Sequence, residues 1–143
     1  MLSKKVMDYL KDSGWWFDQS TEHYETALAS IGIKPDSDIA LFFLHAEDGP
    51  TFVGTLGEMY HLCWFITNCD YGIDIDACHQ GLGMPEEYIP LDSFEGEGGR
   101  FYNRLTGEVV DIALDGSLTA FLAGHLKPQW ANFNAFVEDF FGL

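Results

Sequence analysis

The stretch from Pro85 to Leu114 constrains the fold most, because its centre reads as a β-hairpin. Arg100-Phe101-Tyr102-Asn103 is rich in strand formers, and Leu105-Thr106-Gly107 supplies a turn whose glycine takes positive φ at no steric cost. The chain returns through Val109-Val110-Asp111-Ile112-Ala113-Leu114, which sets Val110, Ile112 and Leu114 on one pleat face and Asp111 on the other. Ahead of it, Tyr88-Ile89-Pro90-Leu91 reads as a third, short strand whose proline suits an edge or a strand start. Glycines 96, 98 and 99 mark a turn between the two. The pattern predicts an antiparallel sheet containing 100–104 and 108–114.

The rest reads mainly as helices and loops. Leu2, Val6, Tyr9 and Leu10 share a helical face that ends near Ser13-Gly14. Ser20 or Thr21 is placed to cap a helix near 21–31, in which Tyr24, Ala27, Leu28 and Ile31 recur at helical spacing before Gly32. Pro35-Asp36-Ser37-Asp38 opens another near 37–46, with Ile39, Phe42, Phe43 and Ala46 inward. Thr51–Gly54 suits a short strand, whereas periodicity does not decide between strand and buried helix over 59–67. Residues 70–83 permit a short helix weakened by Gly72 and Gly81. Trp130, Phe133, Phe136, Val137 and Phe140 form an apolar stripe on a last helix near 131–141. The adjacent Trp15-Trp16-Phe17 cannot share one face, so at least one of these rings covers a core edge or lies exposed. The fold expected is α+β: a central antiparallel sheet with N-terminal helices and a C-terminal helix packed on it, in a single domain over 1–143.

Charge narrows the function classes. Seven Lys and Arg against 23 Asp and Glu give a formal charge of −16. No Lys or Arg falls between Lys34 and Arg100, a span holding Asp36, Asp38, Glu47, Asp48, Glu58, Asp70, Asp74, Asp76, Glu86, Glu87, Asp92, Glu95 and Glu97. Nucleic acid needs cations to neutralise its phosphates, and an anionic membrane surface repels such a chain, so neither is an expected partner. A basic protein would be steered towards it. The carboxylates expected to meet that partner are Asp74, Asp76, Glu86, Glu87, Asp92, Glu95 and Glu97, which flank the sheet and its Gly-rich turn. No apolar h-region follows Lys4-Lys5, and Cys63, Cys69 and Cys78 are read as reduced thiols, so a cytoplasmic location is expected.

The remaining motifs carry little chemistry. His61, Cys63, Cys69, Cys78 and His79 are metal-ligand types without C-x-x-C or H-x3–5-H spacing. Asp70, Asp74 and Asp76 lack the glycine and closing glutamate of a calcium loop. Glu95-Gly96-Glu97-Gly98-Gly99 has no Lys-Ser/Thr ending, and its two carboxylates repel phosphate. No G-x-S-x-G elbow is present. Neither a cofactor nor an enzymatic activity is expected; a cysteine–histidine or paired-carboxylate mechanism is a question for the tertiary geometry.

Two segments carry a resemblance. Ile33-Lys34-Pro35 through Phe42-Phe43-Leu44-His45-Ala46-Glu47-Asp48-Gly49-Pro50 is similar to the early element of the SUKH superfamily, where a proline precedes an apolar helix ending in a glycine turn. Met84-Pro85-Glu86-Glu87-Tyr88-Ile89-Pro90-Leu91, with the Gly-rich turn and hairpin, resembles that family's middle strands. The family includes fungal cell-wall regulators and bacterial immunity proteins. The resemblance implies a non-catalytic α+β domain that binds a cognate toxin and blocks it; a basic toxin domain would suit the acidity. The alternative is a regulatory or scaffold module of the same fold without a toxin partner. The purified chain should hold no stoichiometric zinc. Elemental analysis finding one zinc per chain, lost on mutating Cys63 or Cys78, would overturn the reading of these thiols.

Overall fold

A computed structural model describes residues 1–94, 98–113 and 116–143. Among these it contains seven α-helices, one π-helical turn and two antiparallel sheets, an α+β architecture. Where the sequence reads as one domain, the internal contacts group into two compact units: Met1–Asp70 with Asn134–Leu143, and Tyr71–Phe133.

In the first unit, three helices open the chain, each started by a hydroxyl that accepts a backbone N–H. Ser3 caps α1 (Lys4–Asp12), Thr21 caps α2 (Glu22–Ser30) and Ser37 caps α3 (Asp38–His45). Gly32, at φ 76°, closes α2 in the left-handed conformation that ends many helices, and the Ile33 N–H reaches back to the Leu28 carbonyl at 3.1 Å. The ambiguous stretch resolves as a hairpin followed by a helix. β1 (Thr51–Gly54) pairs with β2 (Gly57–Tyr60), the His61 N–H closes back onto the Pro50 carbonyl, and α4 (Leu62–Asn68) follows.

Apolar faces of these elements meet in an aromatic core. Phe42, Phe43, Phe52 and Phe140 are fully buried, and the Phe42 ring lies 5.1 Å from Phe43 and from Phe52. Trp15 closes one edge against Tyr9, Phe52 and Phe141, while Phe17 is 52% exposed, as three consecutive aromatics require. The last helix buries Phe136, Val137 and Phe140. Its start is held by Asp38, which accepts from the Asn134 N–H at 3.0 Å. Its end receives the β1–β2 turn, because the Thr55 N–H and hydroxyl both donate to the Phe140 carbonyl.

The second unit begins with α5 (Tyr71–Asp76), which runs into a π-helical turn (Ala77–Gly81). A three-stranded sheet follows in the order β3 (Tyr88–Pro90), β4 (Gly98–Asn103), β5 (Val109–Ala113). Phe101 faces Val110 and Tyr102 faces Val109, the register the alternating sequence implies. Asn103 tightens the hairpin by accepting from the Leu105 and Thr106 N–H groups, and Gly107 takes φ 83°. Leu114 and the turn at 95–97 lie outside the described residues.

The Val110 and Ile112 face packs with Cys78, Met84, Tyr88 and Phe101, flanked by Leu118 and Phe121 of α6 (Gly116–Leu122). That helix carries no fully buried residue, which is why its periodicity is weak in the sequence. Trp130 does not continue the apolar stripe of α7 (Phe133–Phe141) but pairs with Val109 through two backbone hydrogen bonds.

That pairing belongs to a wider closure of the sheet. The outward groups of β5 are all taken: Val109 by Trp130, Asp111 by both ends of the Gln129 amide at 2.9 Å, and Ala113 by the Ser117 hydroxyl. On the other side, the Tyr71 hydroxyl donates to the Pro90 carbonyl and His79 Nε2 donates to the Tyr88 carbonyl. Each sheet edge is thereby closed to a further strand.

Gly54 tests the packing of the first unit, since a Cβ there would lie 2.1 Å from the Phe140 carbonyl oxygen. Gly54→Ala should cost at least about 2 kcal/mol by overpacking. Phe136→Ala should cost about 3–5 kcal/mol by opening a cavity. Urea unfolding of the two variants checks both, and changes below about 1 kcal/mol would contradict the packing described.

Candidate partner-binding surface

The carboxylates singled out in the sequence separate into three groups. Asp74 and Asp76 sit on α5, Asp76 exposed and Asp74 half-buried. Glu86 and Glu87 stand just before β3, the first exposed and the second half-buried. Their backbone is fixed by Arg104: its N–H and Nε both donate to the Glu87 carbonyl, and its Nη2 donates to that of Glu86. A cation thus organises this loop through its carbonyls. Glu95 and Glu97 lie outside the described residues.

Asp92 is engaged in the fold. Its Oδ1 accepts from the Phe94 N–H at 3.0 Å and the Arg100 N–H at 3.4 Å, which forms the turn leading into β4. The Arg100 guanidinium lies between two carboxylates, 3.6 Å from Asp92 Oδ2 and 3.7 Å from Asp111 Oδ2. Gly99 allows this closeness, since a Cβ there would sit 2.2 Å from Phe94 Cβ. Burial pushes the Asp92 carboxyl up to about 6. The two backbone N–H groups and the Arg100 charge pull the other way, and the Asp111 charge adds to the rise. These groups line a cleft of about 270 Å³ with Gly98 and Ala113.

A second polar cluster lies in the first unit, on residues the sequence does not mark as functional. His61 is fully buried and caps α4: its Nδ1 accepts from the Trp64 N–H at 3.3 Å. The proton must then sit on Nε2, which donates to the Ala46 carbonyl at 2.8 Å. Burial lowers the His61 pKa below its ordinary 6.5, against the pull of the nearby Glu47 charge, so the ring is neutral. Glu47 Oε1 accepts from the Tyr24 hydroxyl at 2.9 Å, and its Oε2 stands 3.7 Å from His61 Nε2. In sequence, Glu47 stands out no more than the other acids of the cation-free span, and Tyr24 reads as a core position of an amphipathic helix.

The thiols sort by burial. Cys63 and Cys78 are fully buried and pushed up to about 12, chiefly by desolvation, so both are protonated at neutral pH. Cys69 is exposed. Among the described residues, no three His, Cys, Asp or Glu side chains are grouped so as to hold a metal ion. Also among them, no helix is long and apolar enough to cross a membrane.

Comparison with protein families, with curated proteins and with solved structures finds no match to this chain.

Asp92 has a readable pH signature. Because its folded pKa is raised above the ordinary 3.8, its contribution to stability is full below about 4 and is lost as pH rises through about 6. Asp92→Asn keeps an acceptor for the two N–H groups while removing the buried charge. Urea unfolding from pH 4 to pH 7 should show a flatter profile in the variant, with its relative stability improving towards neutrality. A profile parallel to that of the parent would contradict this.

Proposed function

We propose that this chain is an interaction protein that binds a basic protein partner in a stoichiometric complex, in the manner of an immunity protein neutralising its toxin. The observation that carries the reading is the charge: −16 overall, with thirteen carboxylates and no Lys or Arg over residues 35–99. A field of one sign speeds encounter with a basic surface and disfavours acidic competitors. The immunity role follows from the SUKH resemblance, and the basic toxin domain is the partner that both lines of reasoning favour.

The mode of contact follows from the sheet. Both edges of the three-stranded sheet are closed by side chains and by Trp130, so strand addition there is blocked. Contact through side chains remains, and Asp74, Asp76, Glu86 and Glu87 supply carboxylates for it; Glu95 and Glu97 are further candidates from the sequence. Asp92, engaged with Arg100 and the turn into β4, serves the fold of that surface more than its charge.

The test is co-expression with the product of the neighbouring reading frame, asking whether the chain restores growth, followed by association kinetics on the purified pair. The rate should fall by about tenfold or more between low and high salt. Glu86→Lys combined with Glu87→Lys, or Glu95→Lys with Glu97→Lys, should slow association and flatten that dependence while leaving the thermal midpoint unchanged. Rescue without salt dependence would make the acidity a solubility device. Binding without any growth rescue would favour the regulatory module.

A further inference from the structure

We propose that the groove above Glu47 in the first unit receives an arginine side chain of a protein partner. The groove has a volume of about 310 Å³ and is lined by Phe17, Gln19, Thr21, Tyr24, Leu44 and Glu47, with His45 at its side. Most of this lining is apolar, and Glu47 is the one acid in it. An arginine side chain has the matching character, an apolar stem ending in a planar cation that pairs with carboxylates and stacks on aromatic faces.

Three features set the carboxylate for this task. Its position is fixed: the Glu47 N–H donates to the Trp15 carbonyl at 2.9 Å, and the Tyr24 hydroxyl holds Oε1. Among the described residues, no Lys or Arg lies within 4.0 Å of it. Among the described residues the one basic side chain within 4.0 Å is His61, which is neutral because Nδ1 caps α4 and its proton is given to Ala46. Finally, the carboxylate keeps contact with solvent, its side chain being 37% exposed. It can therefore accept a further pair of charge-assisted hydrogen bonds.

The backbone behind the aromatic wall is equally fixed. Phe17 is 52% exposed, yet its backbone is locked to His45 by two bonds: the Phe17 N–H donates to the His45 carbonyl at 2.7 Å, and His45 Nδ1 donates to the Phe17 carbonyl at 2.8 Å. The ring and the carboxylate therefore hang from one paired ribbon, the Trp16–Ala46 bridge, and neither backbone needs ordering when a ligand enters. The inference rests on the reading of the chain as a binder of a basic protein, and names one residue type on that partner and its receptor.

The test uses small probes and does not require the partner. Titrating the isotopically labelled protein with N-acetyl-arginine amide should shift the amide signals of Phe17, Thr21, Tyr24 and Glu47, with an affinity on the order of millimolar. N-acetyl-citrulline amide, which has the shape without the charge, should leave them in place. Glu47→Gln should weaken binding by about tenfold or more, and Phe17→Ala should weaken it several-fold without touching a buried contact. The proposal is overturned by the absence of shifts at arginine-amide concentrations on the order of 100 mM. Equal shifts with citrulline, an affinity unchanged by Glu47→Gln or by Phe17→Ala, or a response to spermidine alone would overturn it too. If partner binding then still depends on salt and on the Glu86 and Glu87 reversals, only the groove assignment fails. If salt and reversals have no effect while the arginine probe binds, only the acidic-face reading fails.

Discussion

A helix leaves its first four N–H groups and last four carbonyls without internal partners, and the helices of this chain run to nine residues at most among the described ones. Its strands are shorter still. In a protein made of such pieces, most backbone polar groups lie at an end or an edge, and burying them unpartnered costs as much as a lost hydrogen bond. Much of the visible design answers that constraint. Ser3, Thr21 and Ser37 cap the opening helices, His61 caps α4, Asp38 holds the Asn134 N–H, and Thr55 ties the hairpin turn to Phe140. Tyr71, His79, Gln129 and Ser117 do the same for the sheet edges.

The same constraint explains polar residues that might otherwise pass for a site. His61 and His79 are ligand types by chemistry, but each ring donates to a backbone carbonyl. Cys63 and Cys78 fill core positions and are kept protonated by burial. The buried titratable groups instead store a response to pH. His61 is folded in its neutral form, so its contribution is present above about 6.5 and lost as pH falls below that, when the unfolded chain takes up the proton. Asp92 acts in the opposite sense, in the other unit.

The carboxylates of the chain differ in setting. Those before β3 and on α5 form a broad field suited to steering, a long-range effect screened by salt. Glu47 is different in kind, a single carboxylate set in a largely apolar groove beside the exposed Phe17 ring.

The sequence by itself determined the parts whose physics is local. Helix starts at Ser20 or Thr21 and near Ser37 are written in hydroxyls followed by apolar positions at helical spacing, and the hairpin in alternation around Gly107. The α+β class and the acidity needed nothing further. Tertiary structure alone decided what distant segments do for one another. No pattern announces that Gln129 imitates a strand against Asp111, that Trp130 leaves the apolar stripe to pair with Val109, or that α6 covers Val110 and Ile112. Nor could spacing reveal that Tyr24 and His61, far from Glu47 in the chain, both approach its carboxylate. A cap or a turn is chosen by neighbours within four residues. An edge or a pocket is completed by whichever side chain the packed core delivers there, and single-sequence periodicity carries no record of that.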